Sequence, residues 1–184
     1  MISELSVRPK AQNKTASRVF YSLLLVGVAF LVVSYTVERY RGLISLGTLI
    51  SVVAALFIYN RYMSGEYSYE VMFNSSDVPL FVIRKTVGSR TSTLCNLELA
   101  AVIAVDVVER GAQVAPPALT AEEMKAAKKY NFCPTLAAPR YGRITVNSRY
   151  EKAIVLIEGS DEFFDTLRAY AEEARALFMQ DEQW

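Results

Sequence analysis

The stretch that decides the fold is residues 18–61, RVFYSLLLVGVAFLVVSYTVERYRGLISLGTLISVVAALFIYNR. It holds two uncharged apolar runs, 19–37 and 43–59, joined by the charged connector Glu38-Arg39-Tyr40-Arg41-Gly42. A helix needs about 20 apolar residues to cross roughly 30 Å of hydrocarbon, so each run has the length of one membrane span and the connector that of a tight turn. Neither run carries a charged residue, which argues against an ion channel or a proton-coupled transporter. The first run is longer than the apolar core of a signal peptide, no A-x-A cleavage site follows it, and a second run arrives at once, so the pair reads as a retained anchor.

Residues 1–17 before the anchor are polar, and Arg8, Lys10 and Lys14, followed by Arg18, make a positive flank that reads as a flexible cytosolic tail. Lys and Arg concentrate on the cytoplasmic side of membrane proteins. Those four residues and Arg61, set against Arg39 and Arg41 in the connector, place both termini inside, at the cell (inner) membrane. Tyr21, Tyr35, Tyr40, Tyr59 and Tyr62 fall near the ends of the runs, where a ring with a polar tip suits the headgroup level. Gly47, Ser51 and Ala55 recur at every fourth position of the second run and form one small-residue face. That face packs either on the first span or against a second copy.

The chain has 184 residues, and the 62–184 portion is long enough for one domain with its own core. A net charge of +1 argues against a general nucleic-acid binder, which needs clustered basic surface. Histidine is absent, and with it the commonest general base and metal ligand, so no cofactor or metal is expected. Cys95 and Cys133 lack the spacing of a zinc or redox pair and read as small core residues.

From Gly65 onward the hydrophobic period changes from helical to alternating. Tyr67, Tyr69, Val71 and Phe73 line one side of a strand, and further strands are expected over 80–86, 90–97, 101–108, 130–136, 143–148 and 152–157. The Gly- and Pro-containing stretch 109–120 reads as a surface excursion. Thr120-Ala-Glu-Glu has capping-box spacing and opens a short helix expected over 121–129. Ser160 caps a final helix in which Phe163, Leu167, Tyr170, Ala174 and Leu177 form an apolar stripe. Seven antiparallel strands closed by one amphipathic helix make a barrel with a plugged mouth. The expected fold is therefore a membrane α-hairpin followed by a soluble α+β domain.

The opening strand Tyr67-Ser68-Tyr69-Glu70-Val71, the hairpin of Ile144-Thr145-Val146 with Ala153-Ile154-Val155-Leu156-Ile157, and the closing helix from Asp161 to Tyr170 resemble the pleckstrin-homology-like (PH-like) fold. The combination with an anchor is similar to small bacterial proteins that carry a PH-like domain behind a two-span hairpin. This resemblance implies a binding or scaffolding module, with no catalytic residue to carry over.

Lipid-binding PH domains place basic residues in the loop between the first two strands, but Asn74-Ser75-Ser76-Asp77 here has none. Arg84, Lys85 and Arg90 near the next turn are candidates for contact with anionic headgroups or simply a solvated hairpin tip. Lys125, Lys128 and Lys129, at helical spacing, form either a binding patch or an ordinary wet helix face. Asp106 with Glu109, and Asp161 with Asp165, are paired carboxylates, yet acid-base work needs a pocket that separates their pKa values. An enzyme is not expected. The expected role is to hold a protein partner, or another copy, at the inner membrane face. An anionic-lipid sensor and an accessory subunit of a membrane complex are the alternatives.

Overall fold

A computed structural model describes residues 5–11, 13–111, 119–148 and 152–181, and the chain divides into two compact units. One is a helical hairpin. Helix α1 (Lys14–Thr36) and helix α2 (Arg41–Ile58) are joined by a 3-10 turn (Glu38–Tyr40), and α2 runs on into a π-helical turn (Tyr59–Met63). At 23 residues, α1 is about 35 Å long, enough to cross a bilayer.

Three hydroxyls within the helices are satisfied by their own helix. The Ser34 and Thr36 hydroxyls donate to the Leu31 and Val33 carbonyls at 2.6 and 3.0 Å, and the Thr48 hydroxyl reaches the Ile44 carbonyl. Small residues set the contact between the two helices. Ala16, Gly27, Ser51 and Ala55 are buried, and a Cβ on Gly47 would lie 3.3 Å from the Phe30 ring. The Gly47, Ser51, Ala55 face is thus occupied within the hairpin. The outward side chains are apolar and exposed, Leu43 by 71% and Phe57 by 67%. A core helix of a soluble protein would bury them. Both helices are long and apolar enough to cross a membrane, and together with the sheet domain they fit a two-span membrane protein.

Among the described residues the second unit holds eight strands. Sheet A has the order β1-β2-β3-β4, from β1 (Leu5–Val7), β2 (Glu66–Phe73), β3 (Pro79–Val87) and β4 (Arg90–Glu98), all antiparallel. Sheet B has the order β5-β7-β8-β6, from β5 (Val102–Glu109), β6 (Lys128–Asn131), β7 (Arg140–Asn147) and β8 (Lys152–Ile157), with β6 parallel to β8. The expected closed seven-stranded barrel is therefore corrected to two four-stranded sheets. Two features account for the difference. Leu5 and Val7 turn toward the core on either side of exposed Ser6, so part of the expected tail becomes a strand on β2, and α1 begins earlier than residue 18. In addition β4 and β6 end their sheets as edge strands, leaving a seam.

Helix α3 (Ala121–Ala126) is shorter than expected, because Ala127 turns extended at φ −68°, ψ 130° and the chain enters β6. Its capping box is present, with the Thr120 hydroxyl and Glu123 carboxylate each bonding the other's backbone N–H. Most of the excursion expected over 109–120, and residues 182–184, lie outside the described residues.

Helix α4 (Asp161–Asp181) covers the core between the sheets. The Phe163 N–H donates to the Ser160 hydroxyl at 3.2 Å, the expected cap. Phe163, Leu167 and Ala174 are buried and Tyr170 half-buried, joined by Phe164 and Ala171, whereas Leu177 is exposed. Rings of Tyr69, Phe81 and Phe163 cluster with centroids 6.0 to 6.4 Å apart. The Tyr69 hydroxyl donates to the Phe132 carbonyl at 3.1 Å and accepts from the Glu158 N–H at 3.3 Å, tying sheet A to the chain around β6 and β8. Beneath α4, Gly142 on β7 makes room for Phe164: a Cβ there would meet ring carbon Cζ at 2.8 Å. Gly142→Ala should therefore cost about 1–3 kcal/mol, as overpacking does. The change should be partly reversed by Phe164→Leu in the same chain, compared by denaturant melts in detergent; a neutral Gly142→Ala would contradict this packing.

Candidate functional site

A sheet edge presents backbone donors and acceptors that the sheet itself has not paired with a strand. The β5 edge is covered by α4, whose Arg168 guanidinium donates to the Val105 carbonyl at 2.9 and 3.3 Å. Strand β1 is only three residues long. The remaining two edges, β4 and β6, flank a cleft of about 390 Å³.

One wall of the cleft comes from Leu94 to Glu98 of β4, and the other from Tyr130 and Phe132, whose rings stack 6.2 Å apart at an interplanar angle of 10°. The floor is Val146, Ala153 and Val155, all members of the buried core. Small side chains at Ala101 and Ala153 leave the space, while Asn96, Glu98 and Ser148 add polar groups. Within β4 the pairing skips a residue: Arg84 partners Thr93 and Ile83 partners Cys95, so Leu94 is bulged. Its side chain is 41% exposed, and Tyr130 opposite is 37% exposed. A volume of this size is in the range of small-ligand and peptide-side-chain sites.

The basic candidates are placed differently. Arg84 is ion-paired with Glu70 at 2.7 Å and also donates to the Met72 sulfur. The Lys85 ammonium sits 5.6 Å from the Tyr67 ring centroid, in cation–π range. Adjacent residues of a strand project to opposite faces, so Arg84 and Lys85 do not share a surface. Arg90 is exposed at the β3–β4 turn, where Gly88 adopts φ +60°. Lys125 lies on α3, whereas Lys128 and Lys129 lie on β6 opposite Ala153 and Ile154. The expected single helical face of three lysines is therefore corrected, since strand geometry turns Lys128 and Lys129 apart.

Three of the four candidate carboxylates are held in ion pairs. Asp106 accepts from Arg143 at 2.7 Å, Asp161 pairs with Arg140, and Asp165 pairs with Arg168 at 2.9 Å. Among the described residues, no three His, Cys, Asp or Glu side chains gather as a metal site. Cys95 and Cys133 form no disulfide; Cys133 is buried and Cys95 half-buried at the cleft.

Comparison with protein-family models, curated proteins and solved structures gives no match. Sequence reasoning missed the cleft because its walls come from separate edges, and no local motif marks an edge as open. The break of alternation around Leu94 is the one local signal that could have pointed to it.

Beside the cleft, Glu123 links α3 to β8. A hydrogen bond from Lys152, and then bonds from the Thr120 backbone and hydroxyl, hold the Glu123 carboxyl down at about 2, below its ordinary 4.5. A depressed carboxyl stabilises the folded form above its unfolded value. The contribution is thus complete above about pH 4.5 and is lost as pH falls from there through about 2. Nuclear magnetic resonance titration should show Glu123 titrating near the low end of that window, and Lys152→Ala should raise it toward 4.5. An unchanged titration in Lys152→Ala would contradict the assigned cause.

Proposed function

We propose that this chain is a membrane-anchored, non-catalytic interaction module that holds a partner protein at the inner face of the cell membrane. The hairpin is the anchor, and the sheet domain is a PH-like module opened along one seam. The observation that carries the reading is the cleft between β4 and β6, where core side chains line an accessible gap between two sheet edges. A cleft whose apolar walls are partly exposed, Leu94 by 41% and Tyr130 by 37%, marks a binding surface more readily than a reaction centre. The ion-paired carboxylates point the same way.

Two observations favour placing the termini and domain in the cytoplasm. Strand β1 precedes the first span and pairs with β2, which follows the second, so both ends of the hairpin belong on one side. The basic residues Arg8, Lys10, Lys14, Arg18 and Arg61 outnumber Arg39 and Arg41 on the opposite side, which favours that side being inside. Headgroup sensing is less favoured, because Arg84 is already ion-paired and Lys85 already lies over a ring. Anchoring would raise the effective concentration of a partner confined to the same thin layer, so a modest contact suffices.

Cross-linking the full chain in native membranes, followed by pull-down in mild detergent, should recover one or a few proteins in amounts comparable to the bait. Recovery of lipid alone, or of nothing above a control carrying only the hairpin, would overturn the reading.

A further inference from the structure

We infer that one end of sheet A, made of the β3–β4 turn and the chain leaving β1, rests on the anionic phospholipid headgroups of the inner leaflet and so fixes which way the sheet domain faces. Arg8, Lys10 and Arg90 make the contact, with Val87 as its apolar point. This rests on the membrane-anchor part of the reading above and adds a second attachment to the bilayer. It needs no protein partner.

Register brings these residues to one end of the sheet. Val87 pairs with Arg90 across the turn Gly88-Ser89, and Thr86 pairs with Glu66, the first residue of β2. Strand β1 runs antiparallel to β2 and leaves it at Val7 opposite Tyr69, so Arg8 and Lys10 follow at the end where β2 begins. All four residues are exposed. The turn projects, because every residue of β4 from Arg90 to Leu94 is exposed and both faces of the strand there meet solvent. Val87, 43% exposed, supplies an apolar side chain beside the tip.

The chain connections hold this end next to the bilayer. Only Ser64 and Gly65 stand between Met63, where the second membrane-length helix ends, and Glu66. Three residue steps reach at most about 11 Å. On the other side, only residues 11–13 separate Lys10 from Lys14, the first residue of α1.

Charge follows the same axis. At this end the exposed cations Arg8, Lys10 and Arg90 are set against one exposed acid, Glu66. Arg84 and Lys85 are not needed, since Arg84 is ion-paired with Glu70 at 2.7 Å and Lys85 lies over the Tyr67 ring. At the other end of sheet A the described charged residues are Asp77, in the β2–β3 turn, and Glu98, opposite Leu80. The nine residues of β3 set the two ends about 30 Å apart, beyond the screening length of about 8 Å at physiological salt. An anionic surface therefore attracts one end and repels the other, which orients the domain. An acidic protein would complement the same cations, but the short connections favour the surface to which both already tie this end.

The test uses the full chain with Cys95 and Cys133 replaced by Ser, assembled into nanodiscs of phosphatidylcholine with or without phosphatidylglycerol. A fluorophore is attached at Ser89→Cys in the β3–β4 turn or at Ser76→Cys in the β2–β3 turn, and a lipid spin-labelled on its headgroup quenches whichever lies against the surface. With phosphatidylglycerol present, quenching should be at least about twofold greater at residue 89 than at residue 76, and the difference should shrink as salt is raised. Replacing Arg8, Lys10 and Arg90 together by Gln should bring the two positions level, and Val87→Ser should act in the same direction. The salt series needs no further variant, so it keeps the test decisive if a substitution lowers the melting temperature. Equal quenching at the two positions, or quenching at residue 89 that ignores phosphatidylglycerol and salt, would overturn the inference. So would loss of a protein from the pull-down in Arg90→Gln with quenching unchanged, which would assign the patch to an acidic partner. A chain that fails to enter nanodiscs would overturn the anchor reading and this contact with it, whereas a chain that enters them and is quenched equally at both positions overturns the contact alone.

Discussion

Two helices whose outward surface is Leu, Val, Ile and Phe can lie in hydrocarbon but not comfortably in water, and that constraint governs the rest of the chain. The inner face is reserved for small residues. Gly27, Gly47, Ser51 and Ala55 bring the backbones close, which suits a medium where packing rather than hydrophobic exclusion drives helix association. Hydroxyls on Ser34, Thr36 and Thr48 bond within their own helix, so these three need no water. The hairpin also explains why a three-residue strand is worth keeping at the start of the chain: β1 joins the sheet that begins just after the second helix.

Within the sheet domain, closure is nearly but not fully achieved. Tyr69 bonds across from sheet A, the Phe163 ring packs between Tyr69 and Phe81, and Arg168 covers the β5 edge. The β4 edge carries a bulge at Leu94, a device that discourages edge-to-edge association.

Much of this architecture was legible in the sequence. The apolar runs, the β2 to β5 alternation, the Thr120 capping box and the Ser160 cap all rest on local periodicity or local hydrogen bonding, which a sequence displays directly. Three features were not. The alternation of Leu5 and Val7 is too short to stand out from a polar tail, and becomes a strand only because β2 offers an edge. Lys128 and Lys129 continue a helix-forming composition, yet parallel pairing with β8 pulls them into β6. The cleft arises from which strands end which sheet, a property of topology that no single segment carries.

The most direct test of the account is the accessibility of single cysteines to a membrane-impermeant thiol reagent, in a chain whose Cys95 and Cys133 are replaced by Ser. A cysteine at Tyr40 in the connector should react in intact cells, while one at Arg8 should react only after lysis, with the chain staying in the membrane through an alkaline wash. Labelling of Arg8→Cys but not Tyr40→Cys from outside, or release of the chain into the wash, would contradict it.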